Sequence, residues 1–343
     1  MSFRKTLGLG LLGCALAACQ PPGQPTASQP PKTAFQHEIA AGAPTPWTSD
    51  RFNDHAEDFQ FAVVGDRTGL ARPGVFEHAL TRLNLVQPEF VINVGDMIEG
   101  YTEDKTGLKL EWDEQDARLA QLEMPFFRVV GNHDMGNNVM REFWRDRYGP
   151  DYYHFVYKGA LFMVLNSEDP PTPMPEEMRQ GFEQIKTLLR TDPEAAKAML
   201  AKSMATMSAK ERESMRNLSS PANFSDAQVA WARKVLEQNK DARWTFLFMH
   251  KPAWEMESPG FAKIEQLLGE RDYTVFGGHE HNYHHSVRNG RDYVRLGTVG
   301  GGIHHPPPGN LDHITVVSFK GDKPRIVNLK LEGVQDIDEP QRQ

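Results

Sequence analysis

The sequence is poor in cysteine, in long apolar runs and in positive charge. Of its 343 residues only two are cysteines, and both lie in the first nineteen positions. The rest of the chain therefore has no disulfide and no thiolate ligand, so any metal site must be built from His, Asp, Glu and Asn. The net charge of −8 argues against a general binder of nucleic acid or of anionic membranes.

The longest apolar segment lies at the N-terminus and covers residues 7–18. It is too short to span a bilayer as a stable helix, and two basic residues, Arg4 and Lys5, come before it. A short basic segment followed by a short apolar one is typical of a secretory signal. We therefore predict a signal peptide of the lipoprotein type over residues 1–18.

The signal closes on Leu-Ala-Ala-Cys, which resembles the lipobox of bacterial lipoproteins and would make Cys19 the lipid-bearing residue. A plain signal peptide with an incidental cysteine is the alternative. Gln20 rather than Asp follows the cysteine, which favours the outer membrane. We expect a lipid-anchored protein of the cell envelope that faces the periplasm or the cell surface, with the lipid as its membrane contact.

Composition divides the rest of the chain into a tether and a folded domain. Residues 19–57 are rich in Pro, Gly, Ser and Thr, which predicts an extended tether, and the domain is expected over 58–335. Strands and helices alternate up to about residue 280 and only strands follow, which predicts an α/β fold with a second, more antiparallel sheet. A helical insertion at about 169–222 either packs against itself or forms a lid or docking surface beside the active site.

Polar residues follow the ends of five predicted strands. In open α/β sheets ligands bind at the carboxyl ends of the strands, so these side chains are expected to meet at one edge. Packing alone explains such a set poorly. The residues at these ends are Asp66, Asp96, Asn132, His250, His279 and His281.

This set of side chains suits metal ions. Imidazole nitrogens and carboxylate oxygens favour Mn, Fe, Zn or Ni over Ca or Mg. Two such ions side by side form a clamp for in-line displacement at phosphorus. Alternate residues of an extended segment share a face, so His279 and His281 can point the same way, one to each ion.

Five motifs together resemble the calcineurin-like metallophosphoesterase superfamily: GDRTG, GDMIEG, GNHD, MHKP and GGHEHNY, between about Phe59 and Gly302. The resemblance implies an α/β fold, a sandwich of two mixed β-sheets flanked by helices. It implies two divalent or trivalent metal ions and hydrolysis of phosphomonoester or phosphodiester bonds by attack of a metal-bound hydroxide. The substrate would be a small phosphate ester.

The resemblance also implies roles for individual residues. It assigns one ion to Asp66, Asp96 and His281. It assigns the other ion to Asp96 as the bridging ligand, Asn132, His250 and His279.

Three further residues receive catalytic roles beside the predicted ions. His133 would be the non-ligand histidine that protonates the leaving oxygen, and the resemblance implies that Asp134 orients it. Arg67 would take up charge on the phosphate oxygens, or would instead bond a neighbouring loop.

One position departs from the family pattern. The first family motif is usually Asp-x-His, and here its third residue is Thr68. Water or the Thr68 oxygen could fill the gap. Another residue could replace the histidine, such as Glu99, Tyr101, or His304 and His305. A third possibility is that only one ion binds tightly.

The missing histidine leaves a second function open. The chain could be a non-catalytic, metal-stabilised lipoprotein of the cell envelope that binds a partner. A decayed site has no use for a non-ligand histidine, so His133 with its neighbour Asp134 favours the enzyme.

Overall fold

The computed structural model describes residues 34–52, 58–208, 221–303 and 308–336. Several predictions fall outside the described residues: the signal peptide, Cys19, the first part of the tether and the pair His304 and His305. Residues 209–220 of the predicted insertion are also outside them. None of the described helices is both long and apolar enough to cross a membrane.

Thirteen strands and seven helices form the described fold. The strands are β1 (Phe35–His37), β2 (Phe59–Val64), β3 (Phe90–Asn93), β4 (Phe126–Phe127), β5 (Tyr153–Tyr157), β6 (Ala160–Val164), β7 (Trp244–Phe248), β8 (Tyr273–Gly277), β9 (His284–Arg288), β10 (Arg291–Arg295), β11 (His313–Lys320), β12 (Lys323–Lys330) and β13 (Gly333–Asp336). The helices are α1 (Val75–Val86), α2 (Lys105–Leu119), α3 (Asn138–Tyr148), α4 (Glu176–Thr191), α5 (Pro193–Thr206), α6 (Asp226–Gln238) and α7 (Pro259–Leu268).

The strands form two mixed sheets. A six-stranded sheet has the order β13-β12-β11-β2-β3-β4, and a seven-stranded sheet has the order β1-β5-β6-β7-β8-β10-β9. In the first, β2, β3 and β4 run parallel, and in the second β6, β7, β8 and β10 do so, while the other pairs are antiparallel. The predicted sandwich of two mixed sheets is confirmed.

Alternation along the strands divides the apolar residues between layers. In β2, Phe61 and Val63 face a core between the sheets, whereas Ala62 and Val64 face the side covered by α1 and α2. The outer face of the other sheet is covered by α6 and α7. The central strands of both sheets are therefore buried on both faces and mostly apolar, whereas the outer strands β9, β10 and β12 also carry charged residues.

The predicted tether is wrong for residues 34–52, which belong to the fold. Strand β1 pairs antiparallel with β5, and the side chain of Trp47 is only 4% exposed within the core between the sheets. Its indole nitrogen donates to Asp50 at 2.6 Å. Residues 34–52 therefore form a strap, a segment that packs along the sheet edge through β1 and Trp47. Its proline and glycine residues do not mark a free linker.

Candidate active site

The parallel strands of both sheets bring their carboxyl ends to one edge of the sandwich. Asp66, Asp96 and Asn132 follow β2, β3 and β4, and His250 and His279 follow β7 and β8. Each side chain is thus positioned by a buried strand and a short turn.

Three side chains and one backbone carbonyl meet around the imidazole of His250. Its Nε2 lies 2.8 Å from Asn132 Oδ1, 3.1 Å from Asp96 Oδ2 and 3.1 Å from His279 Nδ1. Its Nδ1 lies 2.8 Å from the carbonyl oxygen of Val94. A carbonyl only accepts, so Nδ1 carries a proton and Nε2 is the nitrogen that faces the cluster, which is the arrangement of histidines that bind metals.

A second group shares Asp96 with the first. His281 Nε2 lies 3.1 Å from Asp66 Oδ2, and its Nδ1 contacts the carbonyl of Gly302, so that Nε2 is the nitrogen that faces the carboxylates. Candidate donor atoms of Asp66, Asp96 and His281 all lie within 4.8 Å of one another. The same holds for Asp96, His250 and His279. The structure thus brings together all six predicted ligands.

The donor set fits metal ions. Ligands held about 2.1 Å from one ion in neighbouring positions lie about 3 Å apart, which is the spacing found around His250. Asp66 is fully buried, and its Oδ1 has no hydrogen-bond partner among the described residues. A buried carboxylate oxygen without a partner is costly unless a cation compensates it.

The pKa values of the clustered histidines also favour a bound cation at this place. Burial opposes a charge on His250, but Asp96 and Asp66 outweigh it and raise the pKa of His250 to about 10. Burial and the charge of His250 lower the pKa of His279 well below its usual range. The carboxylates therefore stabilise a positive charge at this place, while His279 stays neutral and able to coordinate a metal ion.

Two motif glycines let the carboxylates approach the backbone. A Cβ atom on Gly131 would lie 2.1 Å from Asp96 Oδ1, and one on Gly278 would lie 2.3 Å from Asp66 Oδ1. No side chain fits at either place. This close packing explains the glycine of GNHD and the second glycine of GGHEH.

Three of the candidate ligands have left-handed backbone. The φ angles are 57° at Asp96, 74° at His279 and 51° at His281. Such angles are uncommon outside glycine and cost about 1–3 kcal/mol each, and they concentrate at functional sites.

His133 lies at the edge of the cluster, and one of its ring nitrogens is hydrogen-bonded to the backbone. Its backbone N–H donates to Asp96 Oδ1 at 2.9 Å, and its Nδ1 lies 2.8 Å from the carbonyl oxygen of Glu99. The ring of Tyr101 packs edge-on at 4.7 Å between centroids. Nδ1 must donate to that carbonyl, so Nε2 is the nitrogen available to a substrate.

Asp134 does not orient His133, contrary to the expectation. Its Oδ2 accepts from the backbone N–H of Asp96 at 2.7 Å and of Gly131 at 3.0 Å. Its Oδ1 accepts from the next two N–H groups, of Met97 at 2.8 Å and of residue 98 at 3.2 Å. Both oxygens are fully engaged, so Asp134 holds the loop that carries Asp96.

Of the two roles predicted for Arg67, the structure agrees with the second, a hydrogen bond to a neighbouring loop. Its Nη1 donates to the carbonyl of Met97 at 3.0 Å, and its guanidinium lies 5.9 Å from the ring of Phe76. The side chain lines a cavity of about 260 Å³ that none of the six candidate ligands lines. The structure therefore gives no support to a role for Arg67 on the phosphate oxygens.

Neither Glu99 nor Tyr101 takes the place of the missing histidine. The carboxylate of Glu99 accepts the backbone N–H groups of Leu70 at 3.1 Å and Ala71 at 2.8 Å. The hydroxyl of Tyr101 accepts from Asn132 at 2.6 Å, and burial raises its pKa well above the usual range. Thr68 itself is fully buried beside Asp66.

The sequence did not predict the residues that surround the cluster from outside. Helix α4 of the insertion places the ring of Phe182 5.6 Å from those of both His133 and Tyr101. Behind His250, Lys251 pairs with Glu168 at 2.9 Å, both almost fully buried. The sequence left open that the insertion is a lid or docking surface beside the active site, but it did not single out Phe182, Glu168 or Lys251.

The sequence model of the calcineurin-like phosphoesterases matches residues 59–283. The chain therefore belongs to this family, which confirms the resemblance seen in its motifs.

Curated relatives match over a shorter stretch. The serine/threonine-protein phosphatase CPPED1 of Rattus norvegicus is 33% identical over 95 residues, and that of Homo sapiens is 35% identical over 100 residues. Each match covers 26% of this chain and 30% of the relative, so the chain spans about a third of the length of these relatives.

Solved structures share the fold at low identity. A dimetal phosphatase from Danio rerio is 14% identical with a TM-score of 0.53, and the match covers 81% of this chain and 96% of that one. A purple acid phosphatase from yellow lupin, Lupinus luteus, is 12% identical with a TM-score of 0.55, over 82% of this chain and 53% of that one. These likenesses show the fold alone.

Proposed function

We propose that this chain hydrolyses a phosphomonoester or phosphodiester bond in a small substrate and uses two metal ions to do so. The observation that carries the proposal is the convergence of two donor groups on one shared carboxylate, Asp96. One group adds Asp66 and His281, and the other adds His250 and His279, with Asn132 in contact. When bound, the ions would neutralise charge on the phosphoryl oxygens and activate water.

The protein's own contribution to leaving-group departure is His133. Since Nδ1 donates to the carbonyl of Glu99, a proton on Nε2 exists only in the imidazolium form. That proton passes to the leaving oxygen as the ester bond breaks. Such proton transfer by a positioned side chain is worth about a hundred- to ten-thousandfold in rate.

The two proposed ions would not be held equally. The His250 group offers two imidazoles, an amide oxygen and a carboxylate, whereas the Asp66 group offers two carboxylates and one imidazole. Thr68 stands where an imidazole would complete the second set. We expect the ion in the His250 group to bind more tightly, and the other site to be completed by water or Thr68.

The place of action proposed is the cell envelope, with a lipid on Cys19 as the anchor. The support is the N-terminal sequence. Membrane fractionation of the full chain and of Cys19→Ala tests it: the first should sediment with membranes and the second should not. Equal sedimentation would favour a plain signal peptide.

The central test uses the chain from residue 20 onward. Metals are counted by elemental analysis, and hydrolysis of 4-nitrophenyl phosphate and of bis(4-nitrophenyl) phosphate is measured with Mn²⁺ added. We expect turnover of at least one ester, abolished by His250→Ala and retained by His78→Ala, a change at an exposed histidine of α1. Metal-loaded protein that cleaves neither ester would favour the non-catalytic lipoprotein.

A further inference from the structure

Helix α4 docks through one face on α2 and on the loop that connects β3 to α2. Phe182, Lys186 and Arg190 are spaced by four residues, so they line up along the helix. Lys186 Nζ donates to the carbonyl of Gly100 at 2.7 Å and pairs with Glu111 at 2.9 Å, both side chains being 10% exposed. Arg190 pairs with Glu114 of α2 at 3.2 Å. These contacts fix the helix beside the loop that follows β3.

The aromatic member of that face lies against the proposed proton donor. Phe182 stands 5.6 Å from His133 and from Tyr101, and those two rings are 4.7 Å apart, so the three rings form one cluster. A leaving oxygen must lie about 3 Å from Nε2 of His133 to receive its proton. The ring of Phe182 packs against that of His133, so a larger leaving alcohol would come within reach of it.

We propose that Phe182 is a specificity-determining residue that contacts the leaving alcohol and selects esters whose alcohol carries a flat aromatic ring. This inference rests on the proposed function. The reason is chemical: the ring offers no hydrogen bond, so it favours an apolar or aromatic neighbour and disfavours polar groups that would lose water against it.

The position of α4 also bears on the size of the substrate. The helix lies beside His133, and the ion pair of Lys186 with Glu111 that holds it there is largely buried. A phosphorylated side chain on a folded protein would have to bring its own surface past this helix. The proposal therefore commits to small aromatic esters over phosphoproteins.

The experiment compares two alkyl esters with similar leaving-group chemistry, 2-phenylethyl phosphate and propyl phosphate. Their kcat/KM values are measured for the wild type, Phe182→Ala and Phe182→Tyr. Leu188→Ala is the matched control, since it shortens an apolar side chain on another face of the same helix. Bound metal is counted in every variant to show that the site is intact.

We expect the wild type to prefer the aromatic ester and Phe182→Ala to reduce that preference about tenfold, mainly through KM for the aromatic ester. Phe182→Tyr and Leu188→Ala should keep it. An active Phe182→Ala variant with an unchanged preference would overturn this inference alone. Metal-loaded wild type that cleaves 4-nitrophenyl phosphate or bis(4-nitrophenyl) phosphate but neither alkyl ester would also overturn this inference alone. Metal-loaded wild type that cleaves none of the four esters would overturn the proposed function and this inference with it.

Discussion

The buried histidine His313 tests the electrostatics of the fold away from the candidate metal ligands. It opens β11 and is fully buried. The backbone N–H of Gly297 donates to its Nε2 at 2.9 Å, which requires that nitrogen to be unprotonated. Burial lowers the pKa of His313 to about 4, and the nearby charge of Asp312 opposes the shift without cancelling it.

The sign and size of the effect on stability follow from this shift. A histidine in an unfolded chain titrates near pH 6.5, so below that pH the unfolded chain takes up a proton that the folded chain binds only near pH 4. The folded state is therefore at no disadvantage above pH 6.5 and loses stability as the pH falls toward 4. Linkage gives a loss of about 2 kcal/mol from this one residue between pH 7 and pH 5.

The assay compares the wild type with His313→Gln by guanidinium unfolding at pH 7 and pH 5, with EDTA present. Glutamine can accept the N–H of Gly297 but does not titrate. The wild type should lose about 2 kcal/mol more than the variant over this interval, since the other histidines are common to both and cancel. Equal losses would refute the reasoning.

Two further changes test packing and buried charge by the same unfolding assay. Lys251→Met should lower the free energy of unfolding by about 3–5 kcal/mol because it leaves the carboxylate of Glu168 buried without its ion pair, and adding Glu168→Leu should recover most of that loss. A double variant no more stable than the single one would contradict this. Trp47→Ala should cost about 3–5 kcal/mol through the cavity it leaves, whereas a loss under about 1 kcal/mol would mean that residues 34–52 add little to the fold.

The candidate ligands could be predicted from the sequence because their placement depends on local rules. A strand that is buried on both faces must end at the sheet edge, and parallel strands end at the same edge. Asp66 and His250 lie two residues beyond β2 and β7, although they are far apart in the chain. Residue type and strand order were therefore enough to bring these groups together.

The direction of a side chain beyond a strand end could not be predicted in the same way. Arg67 and Thr68 both follow Asp66, yet the guanidinium lies on the carbonyl of Met97 while Thr68 is buried. The turn angles decide this, and they depend on contacts with other loops. The docking of α4 through Lys186 and the strap at Trp47 likewise depend on tertiary partners that composition does not reveal.

Asp134 shows how the sequence motif and the strained backbone are connected. Asp96 has a φ of 57°, in the left-handed region that costs free energy for a residue other than glycine. The carboxylate of Asp134 imposes it by accepting the N–H groups of residues 96–98 and of Gly131. These charge-assisted bonds offset the strain and aim the carboxylate of Asp96 at both donor groups. Asp134 therefore acts on the shared carboxylate, and the carbonyl of Glu99 takes the part of orienting His133.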